Sequence, residues 1–131
     1  MLIFCPVSGI AAPSSPDIWK PAAEMVCDQI NKALNFYRQS DLKNARLNAI
    51  MSYFKGYDAE IEPAVRVTLG GQHVFKVEHQ FRDFANAMTP NPDKKHIETV
   101  NQLGAELCKA IHEDAKALNT AGVPKQVFEV S

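Results

Sequence analysis

Apolar side chains recur every three or four residues through most of this chain, which is the spacing of amphipathic α-helices. The pattern predicts four helices, over residues 17–39, 42–69, 72–88 and 92–119, joined by short polar turns. A strand pattern occurs only at 125–130, where it is short. Because short links place consecutive helices side by side in opposite directions, the sequence predicts an all-α fold, an antiparallel four-helix bundle. A helix pair from a helical-repeat protein is the competing architecture, but no period of about 34 residues is present.

The second predicted helix contains a glycine and a proline that interrupt its regular pattern. Carried through at about 100° per residue, its apolar stripe stays on one side of the helix. The stripe consists of Leu47, Ile50, Phe54, Tyr57, Ile61, Val65 and Thr68. Pro63 lacks the N–H that would bond to the carbonyl of residue 59, so we expect a kink or a break near residue 59.

The bulk composition is that of an ordinary globular chain. It has 131 residues, 46% of them hydrophobic and 22% charged, which fits a single domain. The net charge of −1 provides no field that would attract nucleic acid or an anionic membrane, so we expect no nucleic-acid partner. No run of about 18–20 apolar residues is present, so we expect no direct membrane span.

The first 15 residues differ from the rest because they are apolar and contain an Ala11-Ala12 step. We interpret residues 1–15 as the remainder of a signal peptide, residues 16–122 as the helical bundle and residues 123–131 as a tail. The alternative is a short apolar N-terminus without a targeting role. The first interpretation predicts that the mature protein is periplasmic or secreted.

Two cysteines lie at the borders of helical stripes, Cys27 in the first helix and Cys108 in the last, whereas Cys5 falls in the predicted leader. In an exported protein, Cys27 and Cys108 are a candidate disulfide. Such a bridge would close a loop of about 80 residues and contribute roughly 4 kcal/mol through the chain entropy of the unfolded state. The alternative is a pair of reduced, buried cysteines that act as small hydrophobic side chains.

Acidic side chains are the candidate functional groups. On a helical wheel, Asp58 and Glu62 share one flank of the second stripe, whereas Glu60 points to the opposite side. Glu78 falls within the apolar stripe of the third helix, where an ionised carboxylate costs several kcal/mol unless it is paired or bound to a cation. Asp114 falls near the edge of the last stripe, and we expect it at the surface, with a role as a fourth carboxylate as the alternative.

Two interpretations of Glu78 follow from this placement. In the first, a nearby tyrosine or arginine satisfies the carboxylate and nothing binds. The candidate neighbours are Tyr53, Tyr57, Arg66 and Arg82. In the second, Asp58, Glu62 and Glu78 converge from neighbouring helices on a hard or borderline metal ion such as iron, which accepts oxygen ligands.

Motifs of several catalytic and cofactor-binding classes are missing from the sequence. No histidine lies three residues after a glutamate, as it does in the Glu-x-x-His pairs of di-iron bundles. The Cys-x-x-Cys-His motif of covalent haem attachment is also missing, as are glycine-rich phosphate loops and nucleophile motifs. We therefore expect a protein that is not an enzyme.

Residues 33–66 resemble the extracytoplasmic N-terminal domain that is fused to bacterial iron permeases. That domain has a tyrosine before a turn, an alanine-rich helix, then an aromatic residue, a glycine, an aromatic–acid step and a second acid four residues later. The corresponding residues here are Tyr37, the region 45–49, Tyr53, Gly56, Tyr57, Asp58 and Glu62. Residues 76–88 are similar to the next helix of that domain, with an acid at Glu78 and an aromatic residue at Phe81.

The resemblance implies a periplasmic accessory role in iron uptake, with Asp58, Glu62 and Glu78 as metal ligands and an iron permease of the inner membrane as partner. Iron is the implied metal, and copper or another divalent metal is the alternative. Two departures are visible: Asp58 stands where the family usually has glutamate, and the membrane half with its Arg-Glu-x-x-Glu motifs is missing from the sequence. The other function is a metal-free helical interaction module that docks a periplasmic or membrane partner. An exposed apolar patch without clustered acids would favour that function.

Overall fold

The computed structural model describes residues 16–125, and these residues form an all-α fold without strands. The helices are α1 (Lys20–Arg38), α2 (Leu42–Met51), α3 (Asp58–Glu60), α4 (Glu62–Leu69), α5 (Gly71–Asn86) and α6 (Lys94–Thr120), with a π-helical segment, Ser52–Tyr57, between α2 and α3. The predicted all-α class is confirmed, and the four-helix bundle stays a prediction. The predicted leader and most of the strand-like stretch lie outside the described residues. Between residues 16 and 125, no helix is long and apolar enough to cross a bilayer.

The two longest helices, α1 and α6, run antiparallel in close contact. At one end, the Trp19 Nε1–H donates to the Val123 carbonyl oxygen at 2.8 Å. At the other end, Arg38 donates to Asn101 Oδ1, also at 2.8 Å. These two bonds fix the register of the pair, so that the beginning of α1 lies beside the end of α6. α1 also packs along α2, and α5 packs on α4 and α6.

A glycine of α6 allows this close approach, and its replacement is a test of the packing. A Cβ at Gly104 would lie 2.9 Å from Leu34 Cδ1 and 3.1 Å from Phe84 Cε1. We expect Gly104→Ala to lower the free energy of unfolding by about 1–3 kcal/mol through overpacking, as measured by urea unfolding. Gly71→Ala is the control, because its Cβ would meet only the mobile end of Arg66, at 3.6 Å. Equal stability of the two variants would contradict this packing.

The π-helical segment changes which face of α2 is buried. Tyr57, Ile61 and Val65 are buried as predicted, whereas the earlier part of the predicted stripe is exposed. Leu47, Ile50 and Phe54 keep 46%, 45% and 58% of their surface, and the small residues Ala45, Ala49 and Ser52 are buried instead. A π-turn closes over five residues rather than four, so the stripe continues backwards from Tyr57 through Ser52. The prediction for the first half was therefore wrong by one residue of helical phase.

The predicted interruption of the second helix is present, but it lies at Ile61, two residues after the predicted position near residue 59. Ile61 has φ −123°, outside the helical range, and it separates α3 from α4, whose first turn contains Pro63. A sharper turn follows at Gly70, where φ is +96°, a conformation that glycine adopts without steric cost. The break and the turn direct α4 and α5 so that Glu62 and Glu78 face each other across a short distance.

Candidate functional site

A tyrosine hydroxyl lies between two of the predicted carboxylates. Tyr53 Oη is 3.1 Å from Glu62 Oε1 and 3.2 Å from Glu78 Oε1. The π-helical segment places Tyr53 on the side of α2 that faces α5, between Phe54 and Phe81, whose rings it contacts edge-on. A phenol has a single proton to donate, so it can satisfy only one of the two carboxylates at a time.

Arg66 is the only cation paired with these carboxylates in residues 16–125. Its guanidinium nitrogen lies 3.9 Å from Glu62 Oε2 and 3.8 Å from Glu78 Oε1. Both distances exceed hydrogen-bond range, and 54% of the Arg66 side chain is exposed to solvent. Such long, solvated pairs contribute about 0–1 kcal/mol to stability. The positive charge beside the carboxylates is therefore weakly held and free to move away.

Glu62 is the buried member of the acidic group. Only 7% of its surface is exposed. Burial, followed by hydrogen-bonding contact of its carboxyl with Asp58 and Glu78, raises the pKa of Glu62 to about 8, and the Tyr53 hydroxyl offsets part of this rise. Burial, followed by the charges of the same carboxylates, raises the pKa of the Tyr53 phenol. The raised pKa favours the protonated form of Glu62 within this acidic group.

The structure brings Asp58, Glu62 and Glu78 together on one side of the fold. It also contains two contacts that the metal-free interpretation of Glu78 predicts: the Tyr53 hydroxyl lies within hydrogen-bond distance of Glu78, and Arg66 pairs with it. Within residues 16–125, no group of three or more His, Cys, Asp or Glu side chains is arranged so that it could hold a metal ion. The carboxylates are therefore neighbours without being a preformed ligand cage, and metal binding stays a prediction.

Glu60 lies apart from this group, as the helical wheel predicted. Its side chain is 45% exposed and pairs with Lys125 at 3.8 Å. Because Glu60 is only two residues from both Asp58 and Glu62, it provides a matched control for experiments on the acidic group.

A second polar cluster lies in the core and was missed by the sequence reasoning. Asp114 is only 2% exposed, and its carboxylate accepts from the Tyr57 hydroxyl at 2.9 Å and lies 2.6 Å from His73 Nε2. Burial raises the pKa of Asp114, while the bonds to His73 and Tyr57 act in the opposite direction. The expectation that Asp114 lies at the surface was wrong. Two features of the sequence could have indicated its burial. Asp114 lies near the edge of the last apolar stripe, and Tyr57, a predicted core residue, needs a hydrogen-bond partner for its hydroxyl.

The two predicted disulfide partners are free thiols in the structure. Cys27 is buried and Cys108 is half-buried, and the two thiols lie close enough to shift each other's pKa. The disulfide between them stays a prediction.

An apolar groove of about 320 Å³ opens beside the acidic group, between the π-helical segment and α5. Ala49, Phe81 and Ala85 form its floor, and the exposed side chains of Ile50 and Phe54 stand at its rim. Tyr53 and Glu78 line it as well, so the groove and the acidic group share two residues. The sequence did not predict the groove, because it assigned Ile50 and Phe54 to the core.

Comparison of the chain with protein-family models, with curated proteins and with solved structures finds no match in any of the three.

Proposed function

We propose that this protein is an extracytoplasmic accessory domain that binds iron, or a similar divalent metal, through Asp58, Glu62 and Glu78. The observation that carries the proposal is the position of Glu62, a buried carboxyl in contact with two further carboxylates. Its only paired cation among residues 16–125 is the distant and solvated guanidinium of Arg66. A divalent metal ion would stabilise a group with this excess of negative charge more than the single, distant charge of Arg66 does.

The chemistry of the donors narrows the class of cation. All the donors are oxygens, from carboxyl groups and the Tyr53 phenol, which suits hard or borderline cations such as ferrous iron or manganese. A divalent cation would displace Arg66 into solvent and take the place of the Glu62 proton. Binding would therefore strengthen as the pH rises towards the pKa of Glu62. The resemblance to the domain of bacterial iron permeases favours iron and a periplasmic location.

Thermal unfolding in the presence of metals tests this proposal. At pH 7.5, a cation at a hundredfold excess over its Kd would stabilise the folded state by about 2.7 kcal/mol. We expect anaerobic ferrous iron to raise the Tm of the native chain by several degrees, and Glu78→Gln to lose most of this rise. Glu60→Gln, the exposed control, should keep it. The proposal is wrong if iron, manganese and copper leave the Tm unchanged while Glu78→Gln alone raises it.

The groove favours a second candidate, a metal-free interaction module. Ile50 and Phe54 expose apolar surface beside Tyr53 and Glu78, as a docking site for an apolar side chain of a partner would. Since acids cluster at the same place, the metal-binding proposal comes first. One experiment distinguishes the two functions. If the protein binds a metal at the carboxylates, Phe54→Ser should keep the metal-induced rise in Tm. If the protein is an interaction module without a metal, no variant should show such a rise.

A further inference from the structure

The antiparallel register of α1 and α6 places Cys27 and Cys108 opposite each other. Gly104 lies one helical turn before Cys108, and a Cβ built there would be 3.3 Å from Cγ2 of Ile30. Ile30 lies about one turn after Cys27 in α1. The two helices run in opposite directions, so one turn forward along α6, from Gly104 to Cys108, corresponds to one turn backward along α1, from Ile30 to Cys27. Cys108 therefore lies at the level of Cys27. The effect of the two thiols on each other's pKa agrees with this register.

The two thiols are unequal in exposure and in acidity. Cys27 keeps only 8% of its surface, whereas Cys108 is half-buried and reachable from solvent. The neighbouring Cys108 thiol raises the pKa of Cys27, and burial raises it further. The neighbouring Cys27 thiol lowers the pKa of Cys108 against the opposing effect of burial. The thiolate is the form that attacks disulfides. Cys108 is the more exposed of the two thiols and is therefore the one that an external disulfide reaches first.

We propose that Cys108 and Cys27 form a thiol–disulfide exchange site for small external disulfides, with Cys108 as the attacking sulfur and Cys27 as the resolving one. The Cys108 thiolate attacks one sulfur of a disulfide such as oxidised glutathione, breaks its S–S bond and releases one glutathione thiolate, which takes up a proton. Cys27 then loses its proton and attacks the Cys108 sulfur of the mixed disulfide, which releases the second glutathione. Two protein thiols are oxidised and one small disulfide is reduced to two thiols.

The product would join α1 to α6 by a covalent bond. The bridge would close a loop of about 80 residues and restrict the unfolded chain, so the oxidised form should melt on the order of 10 °C higher than the reduced form. This inference does not depend on metal binding, because neither cysteine belongs to the acidic group.

Reaction of the full chain with oxidised glutathione tests the site. Cys5 lies outside the described residues, so every variant carries Cys5→Ser, and intact mass with peptide mapping follows the products. With both other cysteines present, we expect loss of two hydrogens and no attached glutathione. Cys27→Ala should keep one glutathione on Cys108, because the resolving thiol is missing. Cys108→Ala should react at least about tenfold more slowly, because the remaining thiol is buried.

Two outcomes would overturn the site. The first is glutathione on both cysteines without an internal bridge, which would show that the sulfur atoms cannot meet. The second is an equal rate of reaction for Cys27→Ala and Cys108→Ala, which would remove the assigned roles. Circular dichroism of each variant before reaction confirms that the fold is retained, and alanine at position 27 avoids placing a hydroxyl in the core.

Discussion

Without added metal, Glu62→Gln is expected to raise the Tm at pH 8 and to leave it nearly unchanged at pH 4. The pKa of Glu62 is raised in the folded state from 4.5 to about 8, so the folded state binds the proton more tightly than the unfolded chain does. The stability that this group contributes is complete below pH 4.5 and is lost as the pH rises towards 8. Glutamine imitates the protonated acid at every pH, and its amide can donate to Asp58 or Glu78.

The size of this difference in stability follows from the shift in the pKa of Glu62. Each pKa unit corresponds to about 1.4 kcal/mol, so the native chain should lose roughly 3–5 kcal/mol more than the variant between pH 4.5 and 8. Circular dichroism melting in buffers of constant ionic strength, with a chelator present, measures it. Glu60→Gln should follow the native chain at every pH. Parallel curves for the native chain and Glu62→Gln would contradict the assignment of the raised pKa to Glu62.

Tyr57→Phe is expected to lower the free energy of unfolding by about 1–3 kcal/mol, because it leaves a buried acceptor without its donor. The Tyr57 hydroxyl lies 2.9 Å from Asp114 Oδ2, and Tyr57 is fully buried. The remaining partner, His73, bonds the other carboxylate oxygen and cannot replace the phenol. Urea unfolding at pH 7 measures the change, and the shape of the core is preserved because phenylalanine differs from tyrosine only by the hydroxyl.

A double-mutant cycle isolates the Tyr57–Asp114 pair from other consequences of each substitution. The cycle combines Tyr57→Phe with Asp114→Asn, and we expect a coupling free energy above about 1 kcal/mol. Tyr37→Phe serves as a comparison in which a different phenol is lost, one that bonds the backbone of Thr89 rather than Asp114. Tyr37→Phe should show no coupling to Asp114→Asn. A coupling near zero for Tyr57 would mean that the buried bond contributes nothing.

The helices were predictable from periodicity, whereas the phase of α2 was not. Leu47, Ile50 and Phe54 continue the stripe of Tyr57 at a regular helical spacing, so a wheel assigns them to the core. In the structure, the buried face of α2 and the π-helical segment consists of small residues instead, and these allow α1 to approach closely. A Cβ at Gly56 would lie 3.0 Å from Cγ2 of Val26. The extra residue of the π-turn leaves no mark in the periodicity, because it depends on packing between two helices.

Two members of the acidic group were predictable because they follow the π-turn. Asp58 and Glu62 lie beyond the phase change and four residues apart, so the wheel placed them correctly on one flank. Asp114 was not predictable in the same way. Its burial depends on a phenol and an imidazole that lie 57 and 41 residues away in the chain, and only the tertiary fold brings them together. A wheel for one helix contains no information about such partners.

Direct titration with a metal is the measurement that tests the proposed function most closely. Isothermal titration of the native chain with anaerobic ferrous iron at pH 7.5 should give saturable binding at one site. Glu62→Gln and Glu78→Gln should weaken this binding at least about tenfold, since each removes a charged ligand, and Glu60→Gln should leave it unchanged. The absence of saturable binding in the native chain, or equal binding in all three variants, would contradict a metal site at Asp58, Glu62 and Glu78.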